Sequence, residues 1–216
     1  MTVERVLLIR HGETEWNTLG RWQGYEQTSL NELGIAQANA LANYLRHHPI
    51  AAIYSSDLLR AWQTATALGE AVGVKPESFT EWREHHLGIF QGLTRDEIQE
   101  KYPAEWALMR SDYWGYVIPD GESRGDTQRR AYRAWETCLK QAKGSEIVIV
   151  SHGGTIKMLL TKLFGEIPEV MDAHLPNTSI STVERNAQGW RLAEIGATPH
   201  LSNVDGRDIE GELMDF

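Results

Sequence analysis

Two four-residue runs, Val6-Leu7-Leu8-Ile9 and Ile147-Val148-Ile149-Val150, are apolar at every position. A strand with one face in water alternates apolar with polar side chains, so a run without a polar position has both faces covered. Such strands belong in a parallel sheet, where neighbours are joined by crossovers that are usually helices. The segments between the two runs supply them. Asn31 is placed as the N-cap of a helix presenting Leu33, Ala36, Ala40, Leu41, Tyr44 and Leu45 on one side. Ala51-Ala52-Ile53-Tyr54-Ser55 reads as a second strand, and a helix follows from Asp57 with Leu58, Ala61, Ala65, Leu68 and Val72 three and four apart. Lys75 to Thr80 reads as a third strand. Gly154 opens a helix through Phe164, stopped by Gly165 and Pro168. Ser179 to Glu184 and Trp190 to Ile195 form two closing strands around a turn at Asn186 to Gly189. The expected fold is α/β, a three-layer sandwich around a mostly parallel sheet.

Strand signals stop between Glu84 and Gly144, so residues 84–144 are expected as a helical insertion over the carboxyl edge of the sheet within one domain spanning 1–216. Tyr102, Trp106, Tyr113, Trp114 and Tyr116 crowd this insertion, either to pack its helices or to wall a substrate pocket. Residues 196–216 lack apolar periodicity and read as an irregular acidic tail. The chain carries a net charge of −9, and its last sixteen residues contribute −4 of that. An acidic balance speaks against nucleic acid or a membrane surface as partner. No segment approaches about 18 apolar residues, and the first strand begins with no leader before it, which makes a cytoplasmic protein the expectation. Cys138, the only cysteine, keeps helical spacing with Ala131, Ala134 and Ala142 and is expected as a small core side chain. Asn177-Thr178-Ser179 fits the glycosylation pattern, but nothing points to export.

In a parallel sheet, ligands gather at the carboxyl ends of the strands. Four stretches place reactive side chains there: Arg10-His11 after the first strand, Arg60 in the first turn after the second, Glu84 after the third, and Ser151-His152-Gly153-Gly154 after the fourth. An imidazole can act as a nucleophile, and guanidinium is the cation best shaped to hold phosphate. Phosphoryl transfer asks the protein chiefly to position groups and offset charge on the equatorial oxygens. Arg10, Arg60, His152 and the Gly153 amide suit that task, with His11 as nucleophile and Glu84 as proton donor and acceptor. Adjacent His85 and His86 diverge on any regular element, so no metal site is expected. Gly121-Glu122-Ser123-Arg124-Gly125 matches the serine-hydrolase elbow formally, but it follows a Pro-Asp-Gly turn rather than a strand, which rejects esterase chemistry.

The octet Arg10-His11-Gly12-Glu13-Thr14-Glu15-Trp16-Asn17 resembles the opening motif of the histidine phosphatase superfamily, in the branch of cofactor-dependent phosphoglycerate mutases and small broad-specificity phosphatases. The resemblance runs from Arg10 to Ser181, and Gly88, Phe90 and Gly92 continue a family pattern that begins at Glu84. It implies a phosphorylated His11, a phosphate pocket of Arg10, Arg60 and His152, and an acid at Glu84. It also implies that Asn17, Gln23 and Gly24 line the pocket, with Pro119-Asp120-Gly121-Glu122-Ser123 at its rim. Gln27-Thr28-Ser29 departs from the family, which often has an aspartate before the first helix. The insertion is short and only lightly basic, which favours hydrolysis over mutase activity with a bisphosphate primer. The expectation is a phosphatase without metal or other cofactor, acting on a small phosphorylated metabolite. A catalytically silent phosphoester-binding module is the alternative of another class, and a homodimer stays open.

Overall fold

A computed structural model describes residues 2–202. Six strands form one sheet in the order β3-β2-β4-β1-β5-β6. They are β1 (Arg5–Arg10), β2 (Ile50–Ser55), β3 (Glu77–Ser78), β4 (Glu146–Ser151), β5 (Ile180–Asn186) and β6 (Gly189–Ala197). β1 and β4 are parallel and in register from Arg5 opposite Glu146 to Arg10 opposite Ser151, and β2 runs parallel on the other side of β4. β5 and β6 add antiparallel strands at one edge. The helices are α1 (Glu15–Thr18), α2 (Glu32–Leu45), α3 (Leu59–Val72), α4 (Arg95–Lys101), α5 (Pro103–Ser111), α6 (Arg124–Gln141), α7 (Gly153–Phe164) and α8 (Pro168–Met171).

The all-apolar runs divide their side chains between two cores. Val6, Leu8, Ile147 and Ile149 face α6 and α7 through Ala131, Ala134, Trp135, Ile156, Leu159 and Leu160. Leu7, Ile9, Val148 and Val150 face α2 and α3 through Leu41, Leu45, Ala61, Ala65 and Leu68. Period-two alternation therefore serves both layers, and each fully buried aliphatic contributes about 1.5–3 kcal/mol. A third cluster of Trp22, Leu87, Phe90, Ile98, Met109 and Ile118 holds together a cap built from α4, α5 and the loops around them.

Four expectations need correction. The buried face of α2 is Gly34, Gln37, Ala38, Leu41, Ala42 and Leu45, while Ala36 and Tyr44 are exposed. Gly34 and Gln37 turn inward because both meet Glu13: Gln37 Oε1 accepts from Glu13 N at 2.9 Å, and a Cβ on Gly34 would lie 2.0 Å from the Glu13 carbonyl. The third strand shrinks to Glu77–Ser78, since Pro76 precedes it and a 3-10 turn at Thr80–Trp82 follows. Helix α6 lies inside the predicted insertion yet packs on the sheet, so only the part before it caps the carboxyl edge. The part of the predicted irregular tail that is described is ordered, since β6 reaches Ala197 and a 3-10 turn covers Pro199–Leu201. Its acidic residues from Asp205 onward lie outside the described residues. Cys138 is buried in the α6 core, and burial pushes its thiol up to about 12. No helix among the described residues is long and apolar enough to cross a membrane.

Candidate active site

The end of β1 is tied to the end of β4 by the His11 N–H, which donates to the Ser151 carbonyl at 3.0 Å. His11 Nδ1 lies 2.7 Å from the Gly12 carbonyl. A carbonyl only accepts, so Nδ1 carries the ring proton and the lone pair sits on Nε2. Arg60 Nε donates to that Nε2 at 3.2 Å. Burial, then the charges of Arg60 and Arg10, push His11 well below the ordinary histidine range, so the ring is neutral at physiological pH. The backbone behind it is pinned twice: Asn177 Nδ2 and Thr178 N donate to the His11 carbonyl at 3.0 and 3.2 Å, and Gly12 N donates to Thr64 Oγ1 at 3.0 Å. Thr178 does this from φ 58°, a strained value for a branched residue, with its hydroxyl 2.7 Å from the Asn177 carbonyl and 2.9 Å from His200 Nε2.

Arg60 is fully buried in the first turn of α3. Its Nη1 donates to the Glu26 carbonyl at 2.8 Å and its Nη2 to the Gly24 carbonyl at 2.9 Å. Burial lowers it to about 10, which leaves it charged at neutral pH. Arg10 spends Nη1 on the Leu175 carbonyl at 2.6 Å, and its buried Nε has no partner among the described residues. Among the described residues neither guanidinium forms an ion pair. Two cations, one fully and one partly buried, whose contacts are carbonyls, one hydroxyl and one imidazole carry several kcal/mol of desolvation that an anion would offset.

His152, N-cap of α7, brings its ring to 5.1 Å from that of His11 and sets Nε2 2.9 Å from Ser56 Oγ. Glu84 lies across the N-terminus of α7. Its Oε1 accepts from His85 N at 2.8 Å and Thr155 N at 3.0 Å, while Oε2 accepts from Gly154 N at 3.2 Å. Gly154 allows this approach, since a Cβ there would lie 2.7 Å from Oε1. Two of the first α7 amides are thus spent on Glu84, and that of Gly153 is left at the cleft. With Oε1 already holding two N–H groups, Oε2 is the oxygen able to carry a proton. Arg130 fixes the strap that carries Glu84: it donates to the carbonyls of Glu81, Arg83 and Glu84 at 2.6–2.8 Å and pairs with Glu122. Glu122 also accepts from His86 N at 2.9 Å, and Arg83 grips Asp57 through two bonds.

Arg10, His11, Arg60, Glu84, Gly153 and Gly154 line a cleft of about 1440 Å³, and His152 lies fully buried behind them against His11. Asn17 is part of it, and its amide oxygen is taken by Thr14 and Asn177, which leaves its NH₂ for a ligand. Gln23 lines it likewise with its oxygen held by Thr28. Gly24, at φ 49°, offers Arg60 its carbonyl and so positions the cation. Gln27, one of the departures from the family pattern, caps α3 through the Leu59 N–H. The outer walls carry Trp16, Trp22, Arg95, Asp96, Gln99, Lys157, Asp172 and His174.

None of the five crowded aromatics of the insertion lines the cleft. Tyr102, Trp106 and Tyr116 pack on the cap cluster, Tyr113 stacks on Arg124, and Trp114 donates to Glu166 at 2.7 Å. Their role is packing, and Trp16 and Trp22 form the apolar wall instead. Glu122 of the predicted rim segment faces Arg130 rather than the cleft, and Ser123 is the N-cap of α6, as a turn serine should be. His85 pairs with Thr127 at 2.8 Å and is pushed down to about 3 by burial, while His86 accepts from Gly88 N. Among the described residues no three candidate ligands come together for a metal ion. Away from the cleft, His48 contacts Glu146 at 2.9 Å. Sequence reasoning missed Ser56, Thr155, Asn177 and Arg130. The Pro-Asn-Thr-Ser loop before a strand was the one visible hint.

The geometry agrees with the comparisons. Residues 6–198 match the family profile of the histidine phosphatase superfamily (branch 1). A probable phosphoglycerate mutase GpmB of Yersinia pestis is 35% identical over 204 residues, covering 91% of this chain and 94% of that protein. A mycobacterial glucosyl-3-phosphoglycerate phosphatase, solved as a complex with VO3, superposes with TM-score 0.80 at 33% identity over 90% of this chain and all of that one. The alpha-ribazole phosphatase of Shigella flexneri gives TM-score 0.78 at 25% identity, covering 90% and 96% of the two chains. This chain therefore belongs to the histidine phosphatase superfamily, branch 1.

Proposed function

We propose that the protein hydrolyses small phosphomonoesters through a phosphohistidine at His11. The observation that carries this reading is the neutral imidazole with its Nε2 lone pair beside Arg60 and Arg10, neither of which is held in an ion pair among the described residues. An ester phosphate displaces the Arg60 Nε–H from Nε2 and takes that donor onto one of its oxygens. Nε2 attacks phosphorus as the P–O ester bond breaks, and Glu84 Oε2 delivers its proton to the departing oxygen. The Glu84 carboxylate then takes a proton from water as that water attacks phosphorus. The N–P bond breaks, inorganic phosphate leaves, and His11 and protonated Glu84 are regenerated. Arg10, Arg60, His152 and the Gly153 amide offset the equatorial charge, and Asn17 and Gln23 add amide donors.

The organic part of the ester meets a wall of mixed polarity, with Arg95, Asp96, Gln99, Lys157, Asp172 and His174 among its residues. A polar phosphorylated metabolite suits it. The relative named as a mutase favours a second reading, interconversion of phosphoglycerates. Against it, Arg21 is already bound to Glu97 and the Gly92 carbonyl, and Arg95 lies over Trp106 at 5.5 Å, so these outer cations are engaged. Adding 3-phosphoglycerate separates the two: release of inorganic phosphate supports hydrolysis, and accumulation of 2-phosphoglycerate the mutase. His11→Ala must abolish turnover of p-nitrophenyl phosphate and the 80 Da adduct on that ring in quenched digests. Wild-type turnover by this variant would refute the mechanism, and tight phosphoester binding without hydrolysis by the wild type would mark a silent binding module.

A further inference from the structure

His152 has one ring nitrogen accounted for and one not. Nε2 faces the Ser56 hydroxyl at 2.9 Å, and Nδ1 is buried without a partner among the described residues. Burial, followed by the charges of Arg60, His11 and other neighbours, holds the ring neutral, so it carries a single proton. The proton count at Ser56 decides where that proton sits. Ser56 Oγ already accepts the Leu58 N–H at 3.2 Å, and its own proton has no acceptor other than His152 Nε2 among the described residues. If Nε2 were protonated, the serine proton and the Nδ1 lone pair would both go unmatched. If Ser56 donates to Nε2, only the Nδ1–H is left over, as a donor with room for an anion's oxygen.

We propose that Ser56 is a positioning residue that fixes His152 as the Nδ1–H tautomer, so that the ring meets a phosphoryl oxygen with a donor rather than a lone pair. The inference rests on reading the site as a phosphoryl-transfer centre. Ser56 reaches its place because its N–H donates to the Val150 carbonyl at 2.9 Å, which registers the end of β2 against the end of β4. The sheet itself therefore presents the hydroxyl to the histidine that follows β4.

Nitrogen NMR of histidine-labelled resting protein, assigned with His152→Asn, reads the tautomer without any turnover. The wild type is expected to show His152 protonated at Nδ1. Ser56→Ala is expected to lose that signature and to weaken inorganic phosphate binding about tenfold, and Ser56→Thr to restore both. A wild-type ring protonated at Nε2, or Ser56→Ala with unchanged tautomer and phosphate affinity, would overturn the proposal. Should Ser56→Ala fail to fold, the wild-type spectrum decides alone. A wild type unable to hydrolyse p-nitrophenyl phosphate would sink the phosphatase reading while leaving the tautomer result standing.

Discussion

The inner and outer halves of the cleft are built on different principles. The inner half hangs from the ends of β1, β2 and β4, and His11, Arg60 and His152 are buried there with contacts that leave little freedom. The outer half rests on α4, α8 and the loops around them, where Arg95, Asp96, Gln99, Asp172 and His174 are half-buried or exposed. Groups that must meet a fixed phosphorus are placed by the rigid sheet, and groups that meet a variable alcohol stand on short helices. On the proposed mechanism the inner half would fix the reaction and the outer half choose among esters.

Substitutions can break this division in graded steps. Arg60→Met should lower kcat/KM by about 10³-fold or more for every ester alike, because all share the phosphate. A loss that varies with the alcohol would place Arg60 in the outer half. Glu84→Gln should lower kcat by about 10²–10³-fold for alkyl phosphates and far less for p-nitrophenyl phosphate, whose leaving group needs no proton. Equal losses across a leaving-group series would remove Glu84 from the acid role. Acid should loosen the inner half first. His85 is neutral in the fold down to about pH 3, whereas an unfolded histidine titrates near 6.5. The unfolded chain therefore binds a proton that the folded one refuses. The His85 contribution is full above about pH 6.5 and falls on acidification towards 3, by about 1.4 kcal/mol per unit. Denaturant midpoints between pH 7 and 4.5 should fall with at least this slope, since His11 and His152 are held neutral in the fold as well, and His85→Gln should flatten it by one proton. Arg130→Met should cost about tenfold on alkyl phosphates through a loosened Glu84 strap, with about 3 kcal/mol of stability. Arg95→Gln should shift KM about threefold for some esters and leave kcat on p-nitrophenyl phosphate unchanged; a collapse of kcat would erase the boundary between the halves.

What the sequence disclosed follows the same line. The strands and α3 and α7 were legible because continuous apolar runs and three-four spacing record burial directly. The charged residues at strand ends were legible because each type has few reasons to follow a buried strand. The face of α2 was not, since Gly34 and Gln37 carry no apolar signature and turn inward only to meet Glu13. Ser56, Thr155 and Asn177 stayed hidden for a similar reason: a small polar residue has no meaning until its partner across the fold is known. Arg130 looked like any helix arginine, although all its donors close on the Glu84 strap and Glu122. The spacing of Cys138 with Ala131 and Ala134 did mark α6 as a core helix, and the missing strand before it drew that helix into the insertion.

The close backbone approach between α2 and the residues after His11 has one more consequence. A Cβ on Gly12 would sit 2.6 Å from the Gly34 carbonyl, and one on Gly34 still nearer to Glu13. Even a single methyl at either place works as a wedge driven between helix and catalyst. Docking of the first helical layer and arming of the nucleophile are consequently the same event, and a chain that seats this helix wrongly is inert before any ester arrives.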